Sequence, residues 1–205
     1  MVEVRQLTGR PDPIIFEVGS ADGLDSLRFL EEFSSSEFEL HCFEPDPRHR
    51  DALLRLKSDP RVRVNQVAIG PSTGEATFHQ TSTIYSSSLK QPNIEVLQSQ
   101  WPEIDLAQQI PVPVVTLDDY CVRNEVPRID FLWADVQGAE DFLIIGGKST
   151  FKDRVRYFYT EYSDTAYYQD EPDLDEIRRL LGDQYQLVQD YGTDALFRNT
   201  AFNPT

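Results

Sequence analysis

Acidic residues and glycines are concentrated in one short segment near the start of the chain, from Glu17 to Gly23 (EVGSADG). Glycine permits sharp turns and a close approach of the backbone to a ligand. Glu44 lies 25 residues beyond Gly19, near the spacing of about 20 at which a second-strand carboxylate accepts hydrogen bonds from ribose hydroxyls. Because Glu17 and Asp22 would repel a pyrophosphate, the segment predicts a cationic cofactor rather than a dinucleotide.

Two further carboxylates, Asp135 and Glu161, each follow or end an apolar run that we predict to be a strand. Ligands of open α/β sheets bind at the carboxyl ends of the strands. A hydroxyl substrate would need a group that removes its proton, and Asp135, His79 and Glu161 are candidate bases. Asp135, Glu161 and Asp164 could instead hold a divalent metal ion through oxygen ligands. We do not favour this metal, because these residues form no compact ligand motif.

These side chains must be positioned by alternating strands and helices, which predict βαβ units and the α/β class with a doubly wound, mostly parallel sheet. The final two strands have no helix between them and predict an antiparallel terminal strand at the edge. Residues 80–100 show little periodicity and predict a loop or lid with one helical turn. We predict strands over 14–18, 38–43, 62–69, 75–79, 112–115, 129–134, 155–161, 185–189 and 195–198, and helices over 24–33, 47–57, 117–124, 139–145 and 173–181.

Charge and composition exclude several classes of protein. The 205 residues carry 35 acidic against 19 basic side chains and a net charge of −16, which would repel nucleic acid and anionic membranes. An apolar content of 40% is enough for a folded core. Two cysteines and the absence of an apolar leader or spanning run favour a reducing, cytoplasmic location. We expect a single domain over 14–200, an N-terminal extension over 1–13 and a tail over 201–205.

Several motifs together resemble the FkbM-type S-adenosylmethionine-dependent methyltransferases, over about residues 14 to 162. The segment DVQGAE at 135–140, placed directly after a predicted strand, is the most specific of them. The others are FEVGSADG at 16–23, FEP at 43–45, VAIG at 67–70 followed by Gly74 and Phe78, SSL at 87–89, TLD at 116–118 and Ile129-Asp130.

This resemblance implies a Rossmann-like class I methyltransferase fold with seven strands, the cofactor S-adenosylmethionine, the product S-adenosylhomocysteine, and methyl transfer to a hydroxyl. The family usually has Ala-Asn where this chain has Ser20-Ala21, and Glu where it has Gln137. We therefore expect catalysis to rest on Asp135 and Glu140, with His79 and Glu161 as further candidates. The expected cofactor-binding residues are Glu17, Gly19, Ser20, Ala21, Asp22, Gly23, Ser26, Glu44, Pro45, Val67, Ala68, Ser88 and Asp135.

The methyl acceptor is predicted from the tyrosines of the C-terminal region. Seven of the nine tyrosines lie between Tyr157 and Tyr191, among carboxylates. Aromatic faces beside carboxylates suit the stacking and hydrogen bonding of sugars, so we expect a glycan or polyhydroxylated small-molecule acceptor; the alternative is that these tyrosines pack in the core. Two other functions stay open, a non-catalytic S-adenosylmethionine-binding module and a nicotinamide-dependent oxidoreductase, the latter disfavoured by the missing third glycine. The sequence does not predict the oligomeric state.

Overall fold

Short apolar runs form the strands of a central seven-stranded sheet in the computed structural model, which describes residues 3–34 and 37–202. The strands are β1 (Ile14–Val18), β2 (Glu39–Phe43), β3 (Val62–Asn65), β4 (Ala68–Ile69), β5 (Gly74–Thr81), β6 (Leu106–Val115), β7 (Ile129–Ala134), β8 (Val155–Glu161), β9 (Tyr185–Asp190) and β10 (Asp194–Asn199). The helices are α1 (Val4–Thr8), α2 (Leu24–Glu32), α3 (Arg50–Leu56, after a 3-10 turn over Pro47–His49), α4 (Ile94–Gln100), α5 (Leu117–Arg123), α6 (Glu140–Gly146), α7 (Lys148–Asp153) and α8 (Leu174–Leu181).

The order of the main sheet is β3-β2-β1-β7-β8-β10-β9. The pairs of β1 with β2 and β7, of β2 with β3, and of β7 with β8 are parallel, whereas β10 is antiparallel to both of its neighbours. The predicted doubly wound, seven-stranded, mostly parallel fold is confirmed. The predicted antiparallel terminal strand is confirmed as well: the last strand of the chain, β10, pairs antiparallel with β8, and β9 lies outside it as the antiparallel edge of the sheet.

A second sheet of three strands, in the order β4-β6-β5, was not predicted. The single strand predicted over 62–69 is interrupted after Asn65, and Ala68 and Ile69 pair instead with Val114 and Val115. Residues 74–81 pair antiparallel with β6. This sheet carries the chain over the carboxyl ends of the central strands, where it contributes one wall of the site described below.

Apolar side chains are buried on both faces of the main sheet, because helices pack against both faces. Phe16 and Phe158 lie in one layer, and Ile15 and Phe131 lie in the other, all fully buried. Val4 of α1 is buried in the second layer, so that the N-terminal segment packs on the domain. Helix α5 is capped at its start, since the side chain of Thr116 accepts a hydrogen bond from the backbone of Asp119.

The region predicted as a loop over 80–100 contains α4 at its end, and α7 follows α6 where only one helix was predicted. Among the described residues, no helix is long and apolar enough to cross a membrane. The division into an extension, a domain and a tail, and the cytoplasmic location, stay predictions.

Candidate functional site

The glycine segment after β1 folds through three left-handed backbone positions, Gly19 (φ 90°), Ala21 (φ 42°) and Gly23 (φ 81°). Gly19 is required by its surroundings as well as by its φ angle, because a Cβ there would stand 1.8 Å from the carbonyl oxygen of Asp135. The segment is thus pressed against the end of β7. Gly23 then begins α2. The backbone of the segment forms one side of a cleft at the carboxyl ends of the strands.

Glu44 lies just beyond the end of β2 and faces this cleft with a side chain that is almost buried. One carboxylate oxygen accepts a hydrogen bond from the backbone of Ala21 at 2.9 Å, and the other accepts one from the backbone of Asp46 at 2.7 Å. Burial raises the pKa of Glu44 to about 7. Each oxygen has one further lone pair, so the carboxylate is fixed in place and can still accept hydrogen bonds from a ligand.

The cofactor cleft, as we call the space around Glu44, encloses about 660 Å³ of atom-free space, part of which is open to solvent. Of the predicted cofactor residues, the structure brings seven to it, namely Gly19, Ala21, Glu44, Pro45, Val67, Ala68 and Asp135. Its apolar walls are Phe43, Val67, Ile69, Phe78, Ile84 and Leu89. The resemblance carried no signal for Asp46, Ile84 or Tyr85, which also line the cleft.

Glu17 and Ser26, two predicted cofactor residues, are not brought to the cleft. Both are buried, and the Ser26 hydroxyl donates a hydrogen bond to the Glu17 carboxyl group. The Cys42 thiol lies 3.6 Å from that carboxyl group. Burial raises the pKa of Glu17 to about 8. The hydroxyl of Ser20 also turns inward, to the backbone oxygen of Glu17, so these side chains support the glycine segment from beneath.

Ser88 is likewise buried, and its hydroxyl donates to the backbone oxygen of Val136 at 3.4 Å. Its neighbour Ser87 lines the cleft instead, and accepts a hydrogen bond from Arg48 at 2.7 Å. Asp22 lies at the rim, where its carboxylate accepts a hydrogen bond from the Tyr85 hydroxyl at 3.0 Å.

Asp135 and Glu161 end the adjacent strands β7 and β8, and the amide of Gln137 bridges them. Its nitrogen donates to Asp135 at 2.5 Å and to Glu161 at 3.2 Å. Desolvation raises the pKa of Asp135. Burial and the neighbouring Asp135 raise the pKa of Glu161 to about 9. The structure thus brings together two predicted catalytic residues as a pair of neighbouring carboxyl groups, of which Glu161 is protonated at neutral pH.

The other two predicted catalytic residues lie elsewhere. Glu140 is buried at the first turn of α6, and its carboxyl group accepts a hydrogen bond from the backbone of Val136 at 3.4 Å. Burial raises the pKa of Glu140 to about 8. His79 lies on β5, and its ring contacts the side chain of Gln109 at 3.2 Å. It lines neither the cofactor cleft nor the second cleft described below. His79 was predicted as a candidate base because it ends a predicted strand. That strand, β5, belongs to the second sheet of three strands and not to the main sheet.

A second and larger cleft, which we call the acceptor cleft, adjoins the first, and Gln137 and Tyr85 line both. Tyr157 and Tyr159 pack in the core, with Tyr159 stacked on Trp133 at 4.5 Å. Besides Tyr85, the aromatic side chains that line this cleft in the described part of the chain are Trp101, Tyr162, Tyr167 and Tyr168. Its carboxylates are Glu103, Glu140, Glu161, Asp164 and Glu171, and no lysine, arginine or histidine is among its described lining residues.

No group of three or more histidine, cysteine, aspartate or glutamate side chains among the described residues is arranged to hold a metal ion. Asp164, a predicted alternative ligand, lines the acceptor cleft together with Glu161. The oxygen ligands proposed for a metal are therefore near one another but do not form a recognisable ligand set.

Comparison with known proteins gives a consistent picture. A family model described as the methyltransferase FkbM domain matches residues 17–193. The 2-O-methyltransferase NoeI of Sinorhizobium fredii is 36% identical over 211 residues, a match that covers 97% of this chain and 84% of that protein.

Two solved structures share the fold. Methyltransferase FkbM from Methylobacillus flagellatus KT matches with a TM-score of 0.58 and 14% identity, over 92% of this chain and 44% of that one, so the chain spans less than half of its length. A fibrillarin/Nop5p complex matches with a TM-score of 0.50 and 9% identity, over 92% of this chain and 72% of that one. At these identities the likeness concerns the fold alone, and it agrees with a Rossmann-like sheet.

Proposed function

This chain belongs to the FkbM methyltransferase family and is an S-adenosylmethionine-dependent O-methyltransferase, and we propose that it methylates a hydroxyl group of a glycan or other polyhydroxylated small molecule. The observation that carries the proposal is the junction of the two clefts. Asp135 lines the cofactor cleft, Glu161 lines the acceptor cleft, and the amide of Gln137 joins them. A proton acceptor therefore lies where a cofactor and an acceptor hydroxyl would meet.

The cofactor cleft fits S-adenosylmethionine by the chemistry of its walls. Glu44 keeps a free lone pair on each oxygen for the two ribose hydroxyls. Val67 and Phe78 give an apolar surface for the adenine. Gly19 leaves the backbone bare beside Asp135, where the methionine part would lie. When bound, S-adenosylmethionine supplies a methyl group activated by the positive charge on its sulfur.

The residues of the junction supply proton removal and orientation. The Asp135 carboxylate accepts the amide hydrogen of Gln137 on one oxygen, and its other oxygen can accept the proton of an acceptor hydroxyl. Glu161 holds its own proton at neutral pH because its pKa is raised. We assign Asp135 as the general base. Glu161 is the neighbouring carboxyl group, which accepts a hydrogen bond from the same Gln137 amide nitrogen. Orientation of the hydroxyl in the acceptor cleft supplies most of the remaining rate enhancement.

The walls of the acceptor cleft support a sugar. The ring centroids of Trp101 and Tyr167 lie 5.4 Å apart, and Trp101 is 44% exposed. Such an aromatic platform offers its face to the apolar side of a pyranose. The carboxyl groups of the lining offer hydrogen-bond acceptors for hydroxyl protons, and those that are ionised would repel an anionic acceptor. The proposal also agrees with the printed name of the relative NoeI, a 2-O-methyltransferase.

The test is transfer of a labelled methyl group from S-adenosylmethionine to a panel of neutral mono- and oligosaccharides, with amines and peptides as competing acceptors. We expect label on a sugar oxygen, and we expect Asp135→Asn to reduce transfer far more than it weakens the binding of S-adenosylhomocysteine in calorimetry. Label found only on nitrogen acceptors would contradict the acceptor class. Binding without transfer to any acceptor would instead support a non-catalytic module, and binding of NAD in place of S-adenosylmethionine would support an oxidoreductase.

A further inference from the structure

Tyr168 reaches the junction of the two clefts from the segment before α8. Its side chain is 3% exposed, and its hydroxyl lies 2.9 Å from the amide oxygen of Gln137 and 2.9 Å from the backbone oxygen of Ser86. The ring packs on Gly138, where a Cβ would come within 2.8 Å of it. The absence of a side chain at Gly138 therefore makes room for the Tyr168 ring beside Gln137.

The backbone of Gln137 is held in an unusual conformation that serves the same contact. Its φ angle is 54°, and that of Gly138 is 84°. A non-glycine residue in the left-handed region carries a cost of about 1 kcal/mol or more, and such residues cluster at functional sites. The two consecutive left-handed residues turn the Gln137 side chain into the junction, between Tyr168 on one side and the two carboxyl groups on the other.

We propose that Tyr168 is a positioning residue, whose hydroxyl holds the amide of Gln137 with its oxygen toward Tyr168 and its two hydrogens toward Asp135 and Glu161. The proposal rests on the proposed function, in which Asp135 is the general base. The orientation follows from chemistry, because an ionised carboxylate only accepts hydrogen bonds and only the nitrogen end of an amide donates them. A tyrosine hydroxyl can donate to the amide oxygen and so favours this orientation.

The orientation of the amide bears on proton binding at the junction. The hydrogen bond that Gln137 donates to Asp135 stabilises the ionised form of Asp135, so its loss would raise the pKa of Asp135 further. The surroundings are strongly acidic, and the nearby cation Lys90, which interacts with Glu171, is already paired with Asp141 at 2.8 Å. The charged and titratable groups that face the pair are Asp25, Glu140, Glu171 and Asp194, with Tyr168 itself.

The test is the titration of Asp135 and Glu161 in the ¹³C-labelled full chain, followed by carboxyl NMR and assigned with Asp135→Asn and Glu161→Gln. Tyr168→Phe keeps the ring on Gly138 and removes only the hydroxyl. We expect it to raise the titration midpoint of Asp135 by about 0.5–1 pH unit, a three- to tenfold change in its acid dissociation constant. S-adenosylhomocysteine affinity should stay within about twofold, because Tyr168 does not line the cofactor cleft.

Two further variants separate positioning from a general loss of structure. Gln137→Met removes the amide and should give the same upward shift, and the double variant should shift no further, since both act through one contact. Tyr120→Phe is the matched control: Tyr120 is also buried, its hydroxyl contacts His41 at 2.8 Å, and it lines neither cleft. It should leave the midpoint of Asp135 unchanged.

An unchanged midpoint in Tyr168→Phe, or additive shifts in the double variant, would overturn the inference. These titrations need no acceptor. A shift as expected, together with a failure to methylate any sugar, would therefore count against the proposed acceptor and leave the positioning role standing.

Discussion

The affinity for S-adenosylmethionine should depend on pH through Glu44. Its pKa is raised to about 7 by burial, and only the ionised carboxylate accepts hydrogen bonds on both oxygens while also accepting those of Ala21 and Asp46. At pH 6, about one unit below this pKa, roughly nine tenths of the side chains are protonated. Binding must then first remove the proton, which weakens affinity about tenfold, or about 1.4 kcal/mol. Affinity should rise from pH 6 to pH 8 and level off above.

Calorimetric titration of S-adenosylhomocysteine between pH 5.5 and 8.5 measures this dependence, and the neutral sulfur of that ligand removes the sulfonium charge as a variable. Glu44→Gln should bind about 1–3 kcal/mol more weakly at pH 8 and lose the pH dependence between 6 and 8. Glu39→Gln, a change at the exposed opposite end of the same strand, should behave as the unmodified protein. An affinity that is flat with pH, or equally pH-dependent in Glu44→Gln, would refute the ribose role of Glu44.

Three other results are expected. Gly146→Ala should lower the unfolding free energy in urea by on the order of 3 kcal/mol, because its Cβ would stand 2.0 Å from the backbone oxygen of Gly70. Gly9→Ala, a left-handed position with open space around it, should instead cost about 1 kcal/mol for its φ angle alone. The pKa of Glu140 is raised by burial to about 8, so the folded protein retains a proton that the unfolded chain releases, and stability should fall as pH rises from about 5 to 8. Glu140→Gln should flatten that slope by up to about 1.4 kcal/mol per pH unit in urea unfolding. Trp101→Ala should raise the KM for an oligosaccharide acceptor about fivefold without changing S-adenosylhomocysteine affinity.

The main sheet could be predicted because each central strand is a short, mostly apolar run followed by turn residues, as Ile14–Val18 shows. The second sheet could not. Pro111 and Pro113 lie within β6, and proline normally argues against a strand that has neighbours on both sides. The shift of the chain from β3 to β4 after Asn65 is not marked by proline or glycine, so 62–69 reads as one strand.

The candidate site was predicted in outline from strand ends, and the errors have one physical origin. In a strand covered on both faces, side-chain alternation does not indicate which face carries a ligand. Glu17, inside β1, therefore points into the helical layer toward Ser26, whereas Glu44, just beyond β2, is free to face the cleft. The contact of Tyr168 with Gln137 depends on a left-handed backbone and on residues 31 positions apart, and neither can be deduced from local spacing.

The charge of the junction gives a reason why this chain has Gln137 where the family usually has glutamate. S-adenosylmethionine loses its positive charge on transfer, so strong negative potential stabilises the bound state more than the transition state and slows the reaction. Because the pKa of Glu161 is raised to about 9, Glu161 is protonated at neutral pH and adds no negative charge to the junction. A glutamate at position 137 would add a third carboxyl group and raise the pKa values of both neighbours by repulsion. The amide of Gln137 adds two donated hydrogen bonds and no charge, and the one to Asp135 favours the ionised form of that side chain without strengthening the field on the cofactor.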